Sequence, residues 1–91
     1  MYIITIKGKE ESGAYAAVDD FGEYVLYIFE EKDDAIRFAM LLEEEDYPKM
    51  SVTEVEEDIV VKACEMHGYE YKIFTEDDIV IPPNQKDTDF I

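Results

Sequence analysis

The sequence holds little of what disulfide or metal stabilisation requires. Among its 91 residues, Cys64 is the only cysteine and His67 the only histidine. A single thiol excludes an intramolecular disulfide and gives no sign of an oxidising compartment, so we expect a cytoplasmic protein. A structural zinc or iron–sulfur site takes about four Cys or His ligands, which this chain does not supply.

Long apolar runs are also absent. Crossing a bilayer as a helix takes roughly 20 apolar residues, and the apolar stretches here are short pieces such as 25–29. The start, MYIITIKGKEESG, lacks the basic stretch and the apolar segment of about 7–15 residues that mark a secretory signal. We therefore expect a protein that neither spans a membrane nor is exported.

Basic residues are scarce. Eight Lys and Arg stand against 24 Asp and Glu, which gives a net charge of −16. Nucleic acids and anionic membranes attract Lys and Arg, so we expect neither as a partner. A negative field favours a basic protein surface or a divalent cation, although high charge also serves solubility on its own.

What the sequence does contain is a core for one domain. Hydrophobic residues make up 47% of the chain, with seven Tyr and five Phe. Alternating or continuous apolar patterns predict strands at 2–7, 14–19, 23–29, 50–55 and 69–75, and a last edge strand at 79–81. Both faces of 23–29 are apolar, which predicts a strand in the middle of the sheet. A right-handed crossover between 23–29 and 50–55 would make those two strands parallel.

Two amphipathic helices complete the predicted fold. In the first, Asp33 to Glu45, the inward positions are Ala35, Phe38, Ala39 and Leu42. In the second, Glu57 to His67, they are Ile59, Val60, Ala63 and Cys64, and Gly68 caps the end. We predict an α+β two-layer sandwich: one mixed, mostly antiparallel sheet of about five strands with two helices on one face. Residues 1–83 would form a single compact domain and 84–91 a flexible C-terminal tail.

The end of the first helix carries an acidic rim, formed by Glu43, Glu44, Glu45 and Asp46. Negative charge at a helix C-terminus opposes the helix dipole and costs about 0.3–1 kcal/mol per residue at low salt. Because these acids weaken their own helix, we predict that the acidic rim docks a basic protein face, with Tyr47 as an apolar anchor. The alternatives are a solvated helix end and, for Tyr47, a packing role at the turn.

Catalytic and metal-binding patterns are weak. A nucleophilic pair of Cys64 and His67 is disfavoured, because a negative surrounding field favours the thiol over the thiolate. The sequence has no G-x-G-x-x-G, P-loop, G-x-S-x-G or H-E-x-x-H motif. Asp19, Asp20 and Gly22 come nearest to a calcium loop, but a hairpin turn explains them.

We therefore predict a non-enzymatic accessory domain with no catalytic, cofactor-binding or metal residues. The alternative function is weak divalent-cation or small-ligand sensing through pooled carboxylates. Self-repulsion favours a monomer, and pairing of an exposed strand edge allows a weak homodimer.

Four segments carry a family resemblance: FEEKDDAIRFAMLLEEEDYP, SVTEVE, CEMHGYEYKI and IVIPP. Through them the chain resembles domain-of-unknown-function family 3110 over roughly residues 1 to 83. The resemblance implies a compact α+β domain from cyanobacteria or plastids with no established activity. Similar domains stand beside J-type chaperone and ferredoxin-like modules in plastid proteins, which implies a protein-interaction role. It supplies no catalytic residues.

Overall fold

The structure, a computed structural model, describes residues 1–83 and 87–91. Within them the chain forms two helices and six strands. The α+β fold class is as predicted. A single 3-10 turn at Glu10–Ser12 joins the first two strands. The elements are β1 (Tyr2–Ile6), β2 (Tyr15–Val18), β3 (Tyr24–Phe29), α1 (Lys32–Glu44), β4 (Met50–Glu54), α2 (Glu57–His67), β5 (Glu70–Phe74) and β6 (Thr88–Phe90).

The strands form one mixed, mostly antiparallel sheet that does not close into a barrel. Its order is β4-β1-β3-β2-β6, and β5 pairs with β3. Six strands are described where about five were predicted. The prediction that 23–29 and 50–55 run parallel agrees with the structure, because β3 and β4 are both antiparallel to β1, which lies between them. The strand that pairs directly with β3 in parallel is β5, in register from Val25↔Glu70 to Phe29↔Phe74.

The two helices cover opposite faces of the sheet. Neighbouring residues of a strand point to opposite sides, and β3 shows this directly. Phe29 belongs to a buried cluster with Phe38 of α1, whereas Ile28 belongs to a second cluster with Val60 of α2. The prediction of two layers with both helices on one face is therefore wrong. A strand that is apolar on both faces needs cover on both, which gives three layers.

The α1 side holds most of the aromatic core. The Tyr15 ring lies edge-on to Phe38, with centroids 5.3 Å apart, and Tyr27 lies edge-on to Phe74 at 4.9 Å. The buried cluster on the α2 side is smaller and mainly aliphatic: Ala14, Leu26, Ile28, Val60 and Cys64. Since aromatic side chains each bury a large area, α1 is the more extensively packed helix.

The end of the chain is part of the sheet. A flexible tail over 84–91 was predicted, but Phe90 in β6 pairs with Tyr15 of β2. Beyond β6, Ile91 and Ala14 exchange backbone hydrogen bonds of 2.9 and 2.8 Å. The tail prediction is wrong for these residues, because burying Phe90 and Ile91 gains apolar contact. Residues 84–86, also assigned to the tail, lie outside the described residues.

The predicted edge strand at 79–81 is not one of the six strands. Val80 packs against the core beside α1, whereas Ile79 and Ile81 are 92% and 76% exposed. In the described ranges, neither helix has the length and apolar character needed to cross a membrane.

Candidate functional site

The acidic rim lies where the chain turns sharply away from α1. Its four side chains are exposed. Glu45 follows the helix, and its N–H donates to the Leu42 carbonyl at 2.9 Å. Asp46 has a φ of 67°, a left-handed conformation that costs non-glycine residues roughly 1–2 kcal/mol and is best tolerated by Asn and Asp. The turn therefore requires an unusual backbone at Asp46.

Glu43 holds the turn together. Its carboxylate Oε2 accepts a hydrogen bond from the Met50 N–H at 3.0 Å. This bond ties the end of α1 to the first residue of β4. Glu43 therefore has a structural role. We take the exposed outer carboxylates, Glu44, Glu45 and Asp46, as the candidate docking group.

Tyr47 is a packing residue. Its half-buried ring lies edge-on to Tyr15 with centroids 6.5 Å apart. Its hydroxyl shares a 2.6 Å hydrogen bond with the Thr88 Oγ1 of β6. These contacts correspond to the packing alternative, and Tyr47 does not present its ring as an exposed anchor.

The acidic rim also influences the aromatic core beneath it. Burial raises the pKa of Tyr15, and Tyr47, Tyr27 and Glu45 raise it further through repulsion of the phenolate. The Tyr15 hydroxyl is fully buried and has no hydrogen-bond partner in the part of the chain that the structure describes. Tyr15 therefore stays neutral to a higher pH than an exposed tyrosine does.

A second group of carboxylates was not found from the sequence. One carboxylate oxygen from each of Asp19, Glu23 and Glu70 lies within 4.8 Å of the others. Asp19 was assigned to the hairpin turn, correctly, since its Oδ1 accepts the N–H groups of Phe21 and Glu23, both at 2.9 Å. Glu70 joins them through the parallel pairing of β3 with β5, and no local sequence signal indicates that pairing.

Cys64 and His67 occupy different environments on α2. Cys64 is buried, and burial raises the pKa of its thiol. His67 is exposed and stacks on Tyr69, with ring centroids 5.5 Å apart. A buried thiol with a raised pKa packs as a small apolar residue and is a poor nucleophile.

The fold and the exposed carboxylates define a small, highly acidic α+β domain. A family model described as "Domain of unknown function (DUF3110)" matches residues 1–84, and the chain belongs to this family. The matched region includes β1 to β5 and both helices, and it ends before β6. No curated protein and no solved structure matches the chain.

Proposed function

We propose that this chain is a non-enzymatic accessory domain that docks a basic protein face through Glu44, Glu45 and Asp46. The observation that carries the proposal is the exposure of these three carboxylates at the C-terminal end of α1. A helix end built for stability has Gly or Asn in the left-handed position and Lys or Arg in the last turn. This end has acids at both places.

The overall charge supports a basic partner. A net charge of −16 attracts cationic surfaces over a distance and raises the rate of productive encounter. The outer carboxylates then supply the local contact, while Glu43 and Tyr47 keep the turn in shape.

The setting of the proposal comes from the family resemblance and the composition. We place the protein in the cytoplasm of a photosynthetic organism, cyanobacterial or plastid-bearing, as a monomer or weak homodimer. Self-repulsion between copies of this charge favours the monomer at low salt.

The proposal is tested by reversing the outer carboxylates while keeping Glu43 and Tyr47. The variant E44K/E45K/D46K is used to capture partners from a photosynthetic lysate. Its control, E11K/E54K/E65K, changes three exposed acids elsewhere and has the same net charge. We expect at least tenfold lower partner recovery with the first variant and near wild-type recovery with the control. Equal recovery with both variants contradicts docking through this site.

Divalent-cation sensing is the second candidate function, and the grouping of Asp19, Glu23 and Glu70 favours it. Calorimetric titration with Ca²⁺, Mg²⁺ and Fe²⁺ would compare the wild type with E23Q/E70Q, which leaves the turn-forming Asp19 intact. The control E54Q/E65Q removes the same charge elsewhere. Cation sensing is supported if the wild type binds saturably below about 1 mM, the weak end of protein calcium sites, and if only E23Q/E70Q abolishes that binding. Its absence excludes a dedicated site.

A further inference from the structure

The apolar surface of α2 is wider than the sheet covers. Val60 and Cys64 are buried, but Ile59 and Met66 are 64% and 78% exposed. Ala63 is exposed as well. The sequence prediction that Ile59 and Ala63 point into the core is therefore wrong. With Met66, these residues stand at positions i, i+4 and i+7 and form one exposed stripe.

The acidic residues of α2, Glu57, Asp58 and Glu65, lie on its other side, and Lys62, about one turn before Met66, borders the exposed stripe. Glu57, Asp58, Lys62 and Glu65 line a recess that α2 forms with Tyr71 and Ile73 of β5. The exposed stripe therefore continues the buried face of α2 without a charged residue between them. An apolar surface of this width on a helix indicates a contact beyond the protein's own core.

An apolar groove of about 350 Å³ runs beside the stripe. Ile3, Leu26 and Ile91 contribute from the sheet side, and Ala63 and Cys64 contribute from α2. His67 and Tyr69 also line it, and no Lys, Arg, Asp or Glu side chain does. In a chain with 24 acidic residues, a groove with no acidic side chain in its lining is a distinct local surface. We call the stripe and the groove together the α2 surface.

Acidic residues stand at the edges of the α2 surface. Asp89 is exposed and lies two residues before Ile91, so strand alternation places it on the same side of the sheet. Glu56 is exposed and precedes Ile59 by about one helical turn. The α2 surface is therefore apolar in its middle and negative where Asp89 and Glu56 stand, and Lys62 borders the outer side of the stripe.

We propose that the α2 surface docks an amphipathic helix of a partner protein, one with an apolar face and Lys or Arg along its borders. The stripe from Ile59 to Met66 extends over about 10 Å, at 1.5 Å per residue. Helices that dock into grooves present anchors at this same i, i+4, i+7 spacing. Basic residues beside those anchors would meet Asp89 and Glu56, which gives charge complementarity.

Other occupants fit less well. A second copy of the chain would bring the same carboxylates face to face across a two-fold interface. An anionic membrane is repelled by a net charge of −16. A small apolar molecule would fill a groove of this size but leave Ile59 and Met66 in water.

The α2 surface is independent of the acidic rim. The two helices pack against opposite faces of the sheet, so a change at one surface leaves the other in place. Either proposal can fail while the other stands.

The test uses the full chain and a defined probe. The probe is a fluorescein-labelled Leu/Lys peptide of about 18 residues, long enough to form a helix, with Leu at helical spacing. A peptide of the same composition in scrambled order is its control. Binding is followed by fluorescence anisotropy at about 0.15 M salt, where distant charges are largely screened.

Two matched variants locate the binding. Met66→Glu places a carboxylate in the α2 surface, and Met40→Glu makes the same change at a 59% exposed position of α1 on the opposite face. We expect Met66→Glu to weaken binding of the amphipathic peptide at least tenfold and Met40→Glu less than twofold. The scrambled peptide should bind at least tenfold more weakly than the amphipathic one. Ile59→Gln, also at an exposed position, replaces Met66→Glu if circular dichroism shows that variant to be unfolded.

Four results would overturn the proposal. The first is no binding of the amphipathic peptide below millimolar concentration. The second is equal binding of the scrambled peptide, or equal loss in both variants, either of which indicates charge attraction alone. The third is binding of a neutral dye in the groove that the peptide does not displace, which indicates a small-molecule site. The fourth is a wild-type dimer in sedimentation that Met66→Glu dissociates.

Discussion

At the scale of single residues, two tyrosines of the same cluster differ in what their hydroxyls contact. The Tyr47 hydroxyl has Thr88 as a partner at 2.6 Å. The Tyr15 hydroxyl is buried with no partner among residues 1–83 and 87–91. A buried hydroxyl without a hydrogen bond costs about 1–3 kcal/mol, whereas a satisfied one contributes about 1 kcal/mol.

Tyr→Phe substitutions at these positions should therefore have opposite effects on the free energy of unfolding. Tyr47→Phe is expected to lower it by about 1 kcal/mol, because the bond to Thr88 is lost. Tyr15→Phe is expected to leave it unchanged or raise it by up to about 1 kcal/mol. Urea unfolding measures both. A large loss in Tyr15→Phe would show that its hydroxyl has a partner.

The aromatic core also predicts how stability depends on pH. Burial raises the pKa of Tyr15, Tyr27 and Cys64 above the ordinary values of 10.0 for tyrosine and 9.0 for cysteine. A group whose pKa is raised by folding stabilises the native state fully below its unfolded pKa, and this contribution is lost as the pH rises through the folded pKa. The urea midpoint should therefore stay level up to about pH 9 and fall above it. Tyr15→Phe should make that fall less steep, and an unchanged slope would contradict the assignment.

At the scale of elements, the end of α1 combines two unfavourable features, a left-handed Asp46 and negative charge at the helix C-terminus. Asp46→Asn removes the charge and keeps a residue that tolerates this conformation, so we expect stabilisation by about 0.3–1 kcal/mol. Asp46→Ala removes the same charge but is strained at positive φ, and it should be less stable than Asp46→Asn by about 1 kcal/mol. Thermal melting compares the two. Equal melting temperatures would contradict the left-handed geometry.

The attachment of β6 can be tested at Gly13. A Cβ at Gly13 would lie 2.9 Å from the Ile91 carbonyl oxygen, with φ at 142°, whereas a Cβ at Gly22 would meet nothing within 4 Å, with φ at 78°. Both Gly→Ala variants carry the strain of positive φ, but only Gly13→Ala also pushes against the backbone beyond β6. We expect Gly13→Ala to be the less stable by at least about 1 kcal/mol. Faster amide exchange at Ile91 in Gly13→Ala alone would show that β6 is loosened.

Most elements follow from local patterns in the sequence, and their arrangement follows from contacts that the patterns do not encode. The first helix was predicted at 33–45 and lies at Lys32–Glu44. The two apolar faces of β3 indicate that both sides of the sheet are covered, and the helices supply that cover, one on each side. The β3–β5 pairing and β6 depend on partners far away in the chain.

In the candidate site too, local patterns predict some features and tertiary contacts decide the others. The exposure of Glu44, Glu45 and Asp46 follows from their position at the end of an amphipathic helix. The roles of Glu43 and Tyr47 do not, because their partners, Met50 and Thr88, are set by the tertiary fold. Similarly, the exposure of Ile59 depends on where the sheet ends, and helical periodicity contains no such information.

At the scale of the whole molecule, charge acts as a single field. The chain measures 32 × 29 × 27 Å, and screening extends over roughly 30 Å at 0.01 M salt and 3 Å at 1 M. Carboxylates on opposite sides therefore repel one another at low salt. Arg37 and Asp34 form an ion pair at 2.9 Å, but 24 acidic residues stand against eight basic ones, so salt removes mainly repulsion.

We accordingly expect the melting temperature to rise between about 0.01 and 0.5 M NaCl. A parallel series with a neutral osmolyte separates screening from general solvent effects. A melting temperature that falls with salt would mean that attractive pairs outweigh the repulsion, contrary to this account.

The central claim is that the outer carboxylates Glu44, Glu45 and Asp46 dock a basic protein face. Its most direct test is the dissociation constant of the most abundant captured partner for the wild type, E44K/E45K/D46K and E11K/E54K/E65K, each at low and physiological salt. The account predicts at least tenfold weaker binding for the first variant, less than about threefold for the second, and weaker wild-type binding as salt rises. Equal dissociation constants for the two variants would contradict it, because net charge alone would then explain the attraction.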